Sequence, residues 1–225
     1  MWALFADVHG NLRALERALT YARREGARRV AFLGDALGGL ETDEACCRVL
    51  MRESERAVFG NREVRTRLAF PEDVQRWIRA LPATSRLEDA LLCHSSPASR
   101  YPCDITADDA LEFRRGQRYF DLFPYVSSKA AALAASAALP DPALRAVVHG
   151  HTHRQTVWRV AGGVSNPVRG APLVCGERRD WDVPLGADTT VVGLGSVEEG
   201  TDGRVECGLY HPAERRIRLV SLPGE

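Results

Sequence analysis

Lysine is all but missing from this chain: Lys129 stands alone among 30 basic residues, and the other basic residues are all arginine. Basic residues are not in excess either, because 30 acids balance them and the formal net charge is zero. Proteins that track a nucleic acid polymer usually carry a basic surplus and several cationic contacts. That composition weighs against a polymer partner but leaves a small anionic substrate open. The six cysteines (46, 47, 93, 103, 175 and 207) contain no CxxC pair and no regular spacing. They read as reduced, mostly buried thiols of a cytoplasmic protein. No apolar run approaches the length of a membrane span. The apolar start, Met1–Ala6, is six residues long and runs straight into Asp7, too short for a secretory signal. A chain of 225 residues is expected to form one domain over 1–225 around one core.

What is present is a repeated alternation of apolar runs, polar turns and amphipathic stretches. Met1–Ala6 predicts a buried strand, and Leu12, Leu15, Leu19 and Ala22 mark one face of a helix over 11–25, closed by Gly26. Val30–Leu33 predicts the next strand, and Thr42-Asp43-Glu44 a helix start with a hydroxyl cap and first-turn acids. Ala57–Phe59 and Leu91–Cys93 predict further strands, and Val74, Trp77, Ile78 and Leu81 a helix entered at Pro71. This order is the α/β signature.

Residues 97–145 hold two helix-forming stretches, over 106–115 and 129–139, and are expected either to cap the site or to form an ordinary helical layer. The last third predicts strands over 146–149, 156–160, 189–194, 205–211 and 217–222. Residues 162–188, rich in Gly, Pro and Arg, are expected to be an irregular excursion.

Each early strand stops at a polar cluster: Asp7-Val8-His9, Gly34-Asp35, Gly60-Asn61, His94 and Gly150-His151-Thr152-His153. Ligands of α/β sheets gather beyond the carboxyl ends of strands. Asp, His and Asn supply the mixed nitrogen and oxygen donors that first-row divalent metals favour over Mg or Ca. On an extended backbone Asp7 and His9 would point to the same side. His149 would point with His151, as a supporting neighbour of the site or as an ordinary core histidine. Seven donors suit two metal ions, with manganese the leading candidate and Fe, Ni, Co or Zn the others. The chemistry expected is phosphate-ester hydrolysis, in which a hydroxide shared by the metals attacks phosphorus in line.

These clusters resemble the calcineurin-like metallophosphoesterases, and within them the small bacterial and archaeal phosphodiesterases that begin Asp-x-His-Gly-Asn. The likeness covers Asp7–Asn11, Gly34-Asp35 with Gly38-Gly39, Gly60-Asn61, His94–Pro97, Gly150–His153 and Gly195-Ser196-Val197. It implies a four-layer α-β-β-α sandwich. Asp7, His9 and His153 would hold one metal, Asn61, His94 and His151 the other, and Asp35 would bridge both. Asp35, Asn61, Arg62 and His94 are the implied catalytic residues, with Arg62 and Asn11 toward the substrate, a small phosphate ester.

The chain departs from the family at Arg62, where many relatives carry a histidine that protonates the leaving group. Arginine keeps its proton and cannot act as that acid, but it can clamp a phosphate oxygen. The plainer reading is a helix-start arginine facing Glu63 or solvent. A scaffold or sensor that keeps the fold and performs weak or no hydrolysis is the rival from another class. A further departure is the longer span between His153 and Ser196, where Arg169, Arg178 and Arg179 read first as solvated surface arginines and second as groups that could reach a substrate's distal phosphate or base.

Overall fold

The structure is a computed structural model that describes residues 1–65, 69–168, 173–175, 178–198 and 203–224. Arg169 and the side chains of Arg178 and Arg179 lie outside the described residues. Alternation along the first strand sets the architecture. In β1 (Trp2–Phe5), Ala3 and Phe5 face one apolar cluster, while Trp2 and Leu4 face another. Both faces being buried, this strand must sit between two layers.

One layer is helical. In α1 (Leu12–Arg24), Leu15, Ala18, Leu19 and Ala22 pack with Phe5 and Phe32, alongside α2 (Asp43–Glu53) and α4 (Glu72–Ala80). Burying each such leucine stabilises the fold by roughly 1.5–3 kcal/mol. Asn11 caps α1, its Oδ1 accepting from Ala14 N at 3.0 Å. The cap expected at Thr42 is made differently. The Thr42 hydroxyl donates to the Gly10 carbonyl, and Asp43 accepts from the Gly38 and Gly39 amides at 2.9 and 2.8 Å. The first contact ties the loop after the second strand to the loop after the first, and the second closes the former loop onto the helix start.

That second strand is β2 (Arg29–Phe32), parallel to β1 and to β3 (Ser54–Ala57). The third strand thus ends at the first residue of the 57–59 stretch predicted for it. Phe59 donates its N–H to Pro82 O at 3.0 Å and turns into a separate cluster with Val64, Leu81, Tyr101 and Phe123.

The first sheet continues from β1 through β12 (Val205–His211) and β13 (Arg216–Leu222) to β10 (Arg178–Pro184) and β9 (Leu173–Cys175), all antiparallel. The second has the order β4 (Thr84–Leu87), β5 (Ala90–Cys93), β6 (Ala146–His149), β11 (Thr189–Leu194), β7 (Gln155–Ala161), β8 (Val164–Pro167). Its centre, β5-β6-β11, is parallel. Leu4, Leu33, Leu92, Val148, Val192, Leu194 and Leu219 fill the space between the sheets. The fourth layer is α7 (Lys129–Ala137), whose Ala132 and Ala135 pack on Val147 and Val191. The layers run α-β-β-α, as the resemblance implied.

Residues 162–188 are not an irregular excursion in the described part, because β8, β9 and β10 lie there. Gly162 and Gly163, at φ 55° and 77°, turn the chain from β7 back into β8. Asp182 on β10 pairs with Arg216 and Arg218 on β13. Within 97–145, α7 belongs to the helical layer. The short helices α5 (Ala107–Phe113) and α6 (Tyr119–Leu122) join the cluster around Phe59 instead, near His94 and His151. Among the described residues no helix is long and apolar enough to cross a membrane.

Candidate metal centre

Asp7, His9, Asp35, His151 and His153 have backbone φ of 54°, 46°, 61°, 63° and 53°. Five of the seven candidate ligands therefore sit in the left-handed region, which costs a residue bearing a Cβ on the order of 1–2 kcal/mol. Strain of this kind persists where surrounding contacts over-determine it, and it clusters at functional sites. It also corrects the expectation for Asp7 and His9. They converge through a left-handed turn and not by strand alternation, and His149 parts from His151 for the same reason. His149 ends β6 fully buried, its Nδ1 2.9 Å from Gly150 O, and burial pushes its imidazole down to about 4.

The contacts that hold these turns are specific. Glu63, buried in α3 (Asn61–Arg65), accepts from the amides of Asp35, Ala36 and Gly60 at 2.9, 2.8 and 2.7 Å. One carboxylate thus joins the loops that follow β2 and β3. The loops approach so closely that a Cβ on Gly60 would lie 2.2 Å from Asp35 Oδ1. From the far end of the chain, Ser196 Oγ donates to Asp7 O at 2.8 Å, and Val197 N donates to Ala6 O. The Gly-Ser-Val turn therefore clamps the first ligand's backbone. From the sequence, Asp43 reads only as a first-turn acid of its helix, and Glu63 is assigned no role in holding the site. The signal for Glu63 was available, because an N3 glutamate reaching back to the N-cap amide is half of a capping box.

The side chains expected as ligands come together, His151 less closely than the others. His9 Nε2 lies 3.1 Å from His153 Nε2 and 3.8 Å from Asp7 Oδ1, while His153 Nε2 lies 3.3 Å from that oxygen. Asp35 Oδ2 is 3.5 Å from His94 Nε2 and 3.8 Å from His9 Nε2, and Asn61 Oδ1 is 3.2 Å from His94 Nε2. Donor atoms of Asp7, His9 and His153 lie within 4.8 Å of one another, as do those of Asp7, Asp35 and His94. Asp35, between His9 and His94, faces both groups. His151 lines the centre without joining either group. Its ring is 5.0 Å from that of His94, and its Nε2 is 3.2 Å from Phe123 O, leaving Nδ1 as the available donor. His9 and His94 turn their Nδ1 atoms to Leu37 O and Leu33 O, at 3.2 and 2.8 Å, leaving Nε2 for the centre. Such outer partners fix the tautomer of a ligating imidazole.

Asp7 Oδ1 is buried and, among the described residues, has no hydrogen-bond partner. A buried carboxylate oxygen left bare costs several kcal/mol, and here three imidazole nitrogens surround it. A cation is the partner that this arrangement fits. Burial would raise the Asp7 carboxyl, but His153, His94 and His9 hold it below its ordinary value. Burial raises Asp35 to about 7. Burial lowers His9, and lowers His151 to about 3. The His94 imidazole ends above its usual value, Asp35 and Asp7 overcoming the effect of burial, and nearby Asp7 raises His153.

Arg62, exposed at the second position of α3, donates its backbone N–H to Asp35 Oδ1 at 2.7 Å. The Asn11 carbonyl oxygen is engaged in capping α1, which leaves its NH₂ as the group that could meet a phosphate oxygen.

A four-layer sandwich with these donors at the loop ends defines a metallophosphoesterase fold. Residues 1–211 match the calcineurin-like phosphoesterase superfamily domain, and the chain belongs to that superfamily. The family implies divalent metal ions and phosphoester hydrolysis. Among solved structures, a metallophosphoesterase from Sphaerobacter thermophilus is similar over 100% of this chain and 89% of its own, at 18% identity and a TM-score of 0.74. A candidate diadenosine tetraphosphatase is similar over 100% of this chain and 93% of its own, at 16% identity and a TM-score of 0.56. Both likenesses concern the fold. No protein of curated function matches the chain.

Proposed function

We propose that the protein is a two-metal phosphodiesterase acting on a small phosphate ester, with manganese as the leading metal. The observation that carries this reading is the bare, buried Asp7 Oδ1 ringed by His9, His94 and His153. Asp7, His9 and His153 would hold one ion, Asn61, His94 and His151 the other, with Asp35 between them. When bound, such a pair activates water and offsets charge on the phosphate.

The chain's own groups then divide the work. The Arg62 amide holds Asp35 Oδ1, so Oδ2 is left facing His9 and His94. The Arg62 side chain, exposed at the same helix start, would bind a phosphate oxygen. With no histidine at that position, the leaving group departs as an anion or takes its proton from solvent. Good leaving groups are therefore favoured. Arg62→Ala is expected to lower kcat/KM about 10–100-fold, the value of a charge-assisted bidentate contact, with metal content unchanged. Unaltered kinetics on an aryl diester would return Arg62 to the role of a surface residue.

Metal uptake should depend on pH in a defined direction. Below about 7 the Asp35 carboxyl of the metal-free protein holds a proton that an incoming cation must displace. His94 and His153 are both raised, and any proton on the ligating nitrogen of either must also leave before it can bind a cation. Affinity for Mn²⁺ is expected to fall as pH drops through 7, and loading to release more protons at pH 6 than at pH 8. Calorimetry in buffers of different ionisation enthalpy measures this release. Equal release at the two pH values would contradict the assignment of Asp35 as a ligand.

The test of the whole reading is a hydrolysis panel of aryl diester, aryl monoester and cyclic nucleotide with Mn, Ni and Zn. Failure on every ester by a protein that carries its metals would favour the scaffold or sensor reading.

A further inference from the structure

Beside His151 the chain displays aromatic rings that the proposed chemistry does not use. Tyr125 stacks on the His151 ring, with centroids 4.2 Å apart and planes at 14°. Phe120 stands 6.3 Å from Tyr125 at 44°, and Tyr119 and Phe123 pack behind them. Phe120 is 62% exposed and Tyr125 43%. A single exposed apolar side chain needs no explanation. Two adjoining aromatic rings, one of them stacked on a candidate metal ligand, form a wall continuous with the site.

We propose that Phe120 and Tyr125 form a stacking platform that selects phosphate esters carrying a flat aromatic group, of which a nucleobase is the natural example. The inference rests on the phosphoesterase reading and adds the substrate class to it. His151 and Tyr125 already form a near-parallel stack that starts at the metal centre. A base laid on the outer face of Tyr125 adds a layer, with Phe120 tilted against its edge, as aromatic pairs prefer. The platform stands one stacking layer from the candidate ligands, so a phosphate at the centre and a base on Tyr125 can belong to one nucleotide. An alkyl or sugar ester has no π face to offer there. Base–aromatic stacking commonly amounts to about tenfold in affinity or more.

The test uses Mn²⁺-loaded protein and two probes of shared phosphate chemistry, adenosine monophosphate and ribose 5-phosphate, with binding read by calorimetry. The wild type is expected to bind the nucleotide about tenfold tighter. Phe120→Ala should shrink that preference to within about threefold and leave ribose 5-phosphate affinity unchanged, while Phe120→Trp should preserve or widen it. Equal binding of both probes by the wild type, or an undiminished preference in Phe120→Ala, overturns the platform even if hydrolysis is seen. A preference that Phe120→Ala removes, in a protein that hydrolyses no ester, supports the platform and counts against the phosphoesterase reading alone. Dimerisation lost in Phe120→Ala, with no preference in the wild type, would overturn the platform and identify the patch as a contact between copies.

Discussion

Asp35→Asn is expected to abolish hydrolysis of every ester in the panel, lowering kcat/KM by at least about 10³-fold, or about 4 kcal/mol of barrier. The asparagine keeps the size of the side chain and can still accept the Arg62 amide bond through one oxygen. What it loses is the second anionic oxygen, the one 3.5 Å from His94 and 3.8 Å from His9. An amide NH₂ placed there repels a cation. The variant should fold with near-normal secondary structure and carry fewer than two metals per chain by elemental analysis. Turnover within tenfold of wild type would remove Asp35 from the centre and the two-metal reading with it.

Glu63→Ala is expected to be the most destabilising substitution near the site. It strips the hydrogen-bond partner from three amides at once, those of Asp35, Ala36 and Gly60. Each buried N–H left unsatisfied costs about 1–3 kcal/mol, so the loss is at least about 3 kcal/mol. For a chain of this size that lowers Tm by roughly 6–12 °C. Glu63→Gln is expected to be intermediate, because one oxygen can still serve Asp35 and Gly60 while the NH₂ meets the Ala36 amide donor to donor. Thermal melts followed by circular dichroism read both variants. A Glu63→Ala melt within about 2 °C of wild type would show that the two loops are held together by something else.

Much of this was legible from the residues, and the exceptions have physical causes. The ends of β11 and β12 are where the apolar runs place them, and α1 follows its apolar face from a cap at Asn11. The candidate donors stand out in the sequence because each follows an apolar run. Their manner of convergence was hidden, since left-handed turns at Asp7, His9 and Asp35 leave no trace in hydrophobic periodicity. The hairpin into β8 was hidden for another reason. Glycine and proline read as breakers, yet Gly162-Gly163 makes a tight reversal whose strands are held mainly by backbone pairing. Pairing partners such as β13 for β10 lie far along the chain, and local composition does not name them. The role of Asp43 was mistaken because an acid at a helix start reads as a dipole partner, whereas here it serves the amides of Gly38 and Gly39.

The candidate cage is stitched from both sides of an internal seam. Asp7, His9, Asp35 and Asn61 hang from the sheet that carries β1, whereas His94, His151 and His153 hang from the sheet that carries β6. Each proposed ion would take donors from both, so neither half of the sandwich can hold one unaided. A cation seated there behaves as a rivet through two plates. Its removal should loosen their grip on one another before it unravels either plate.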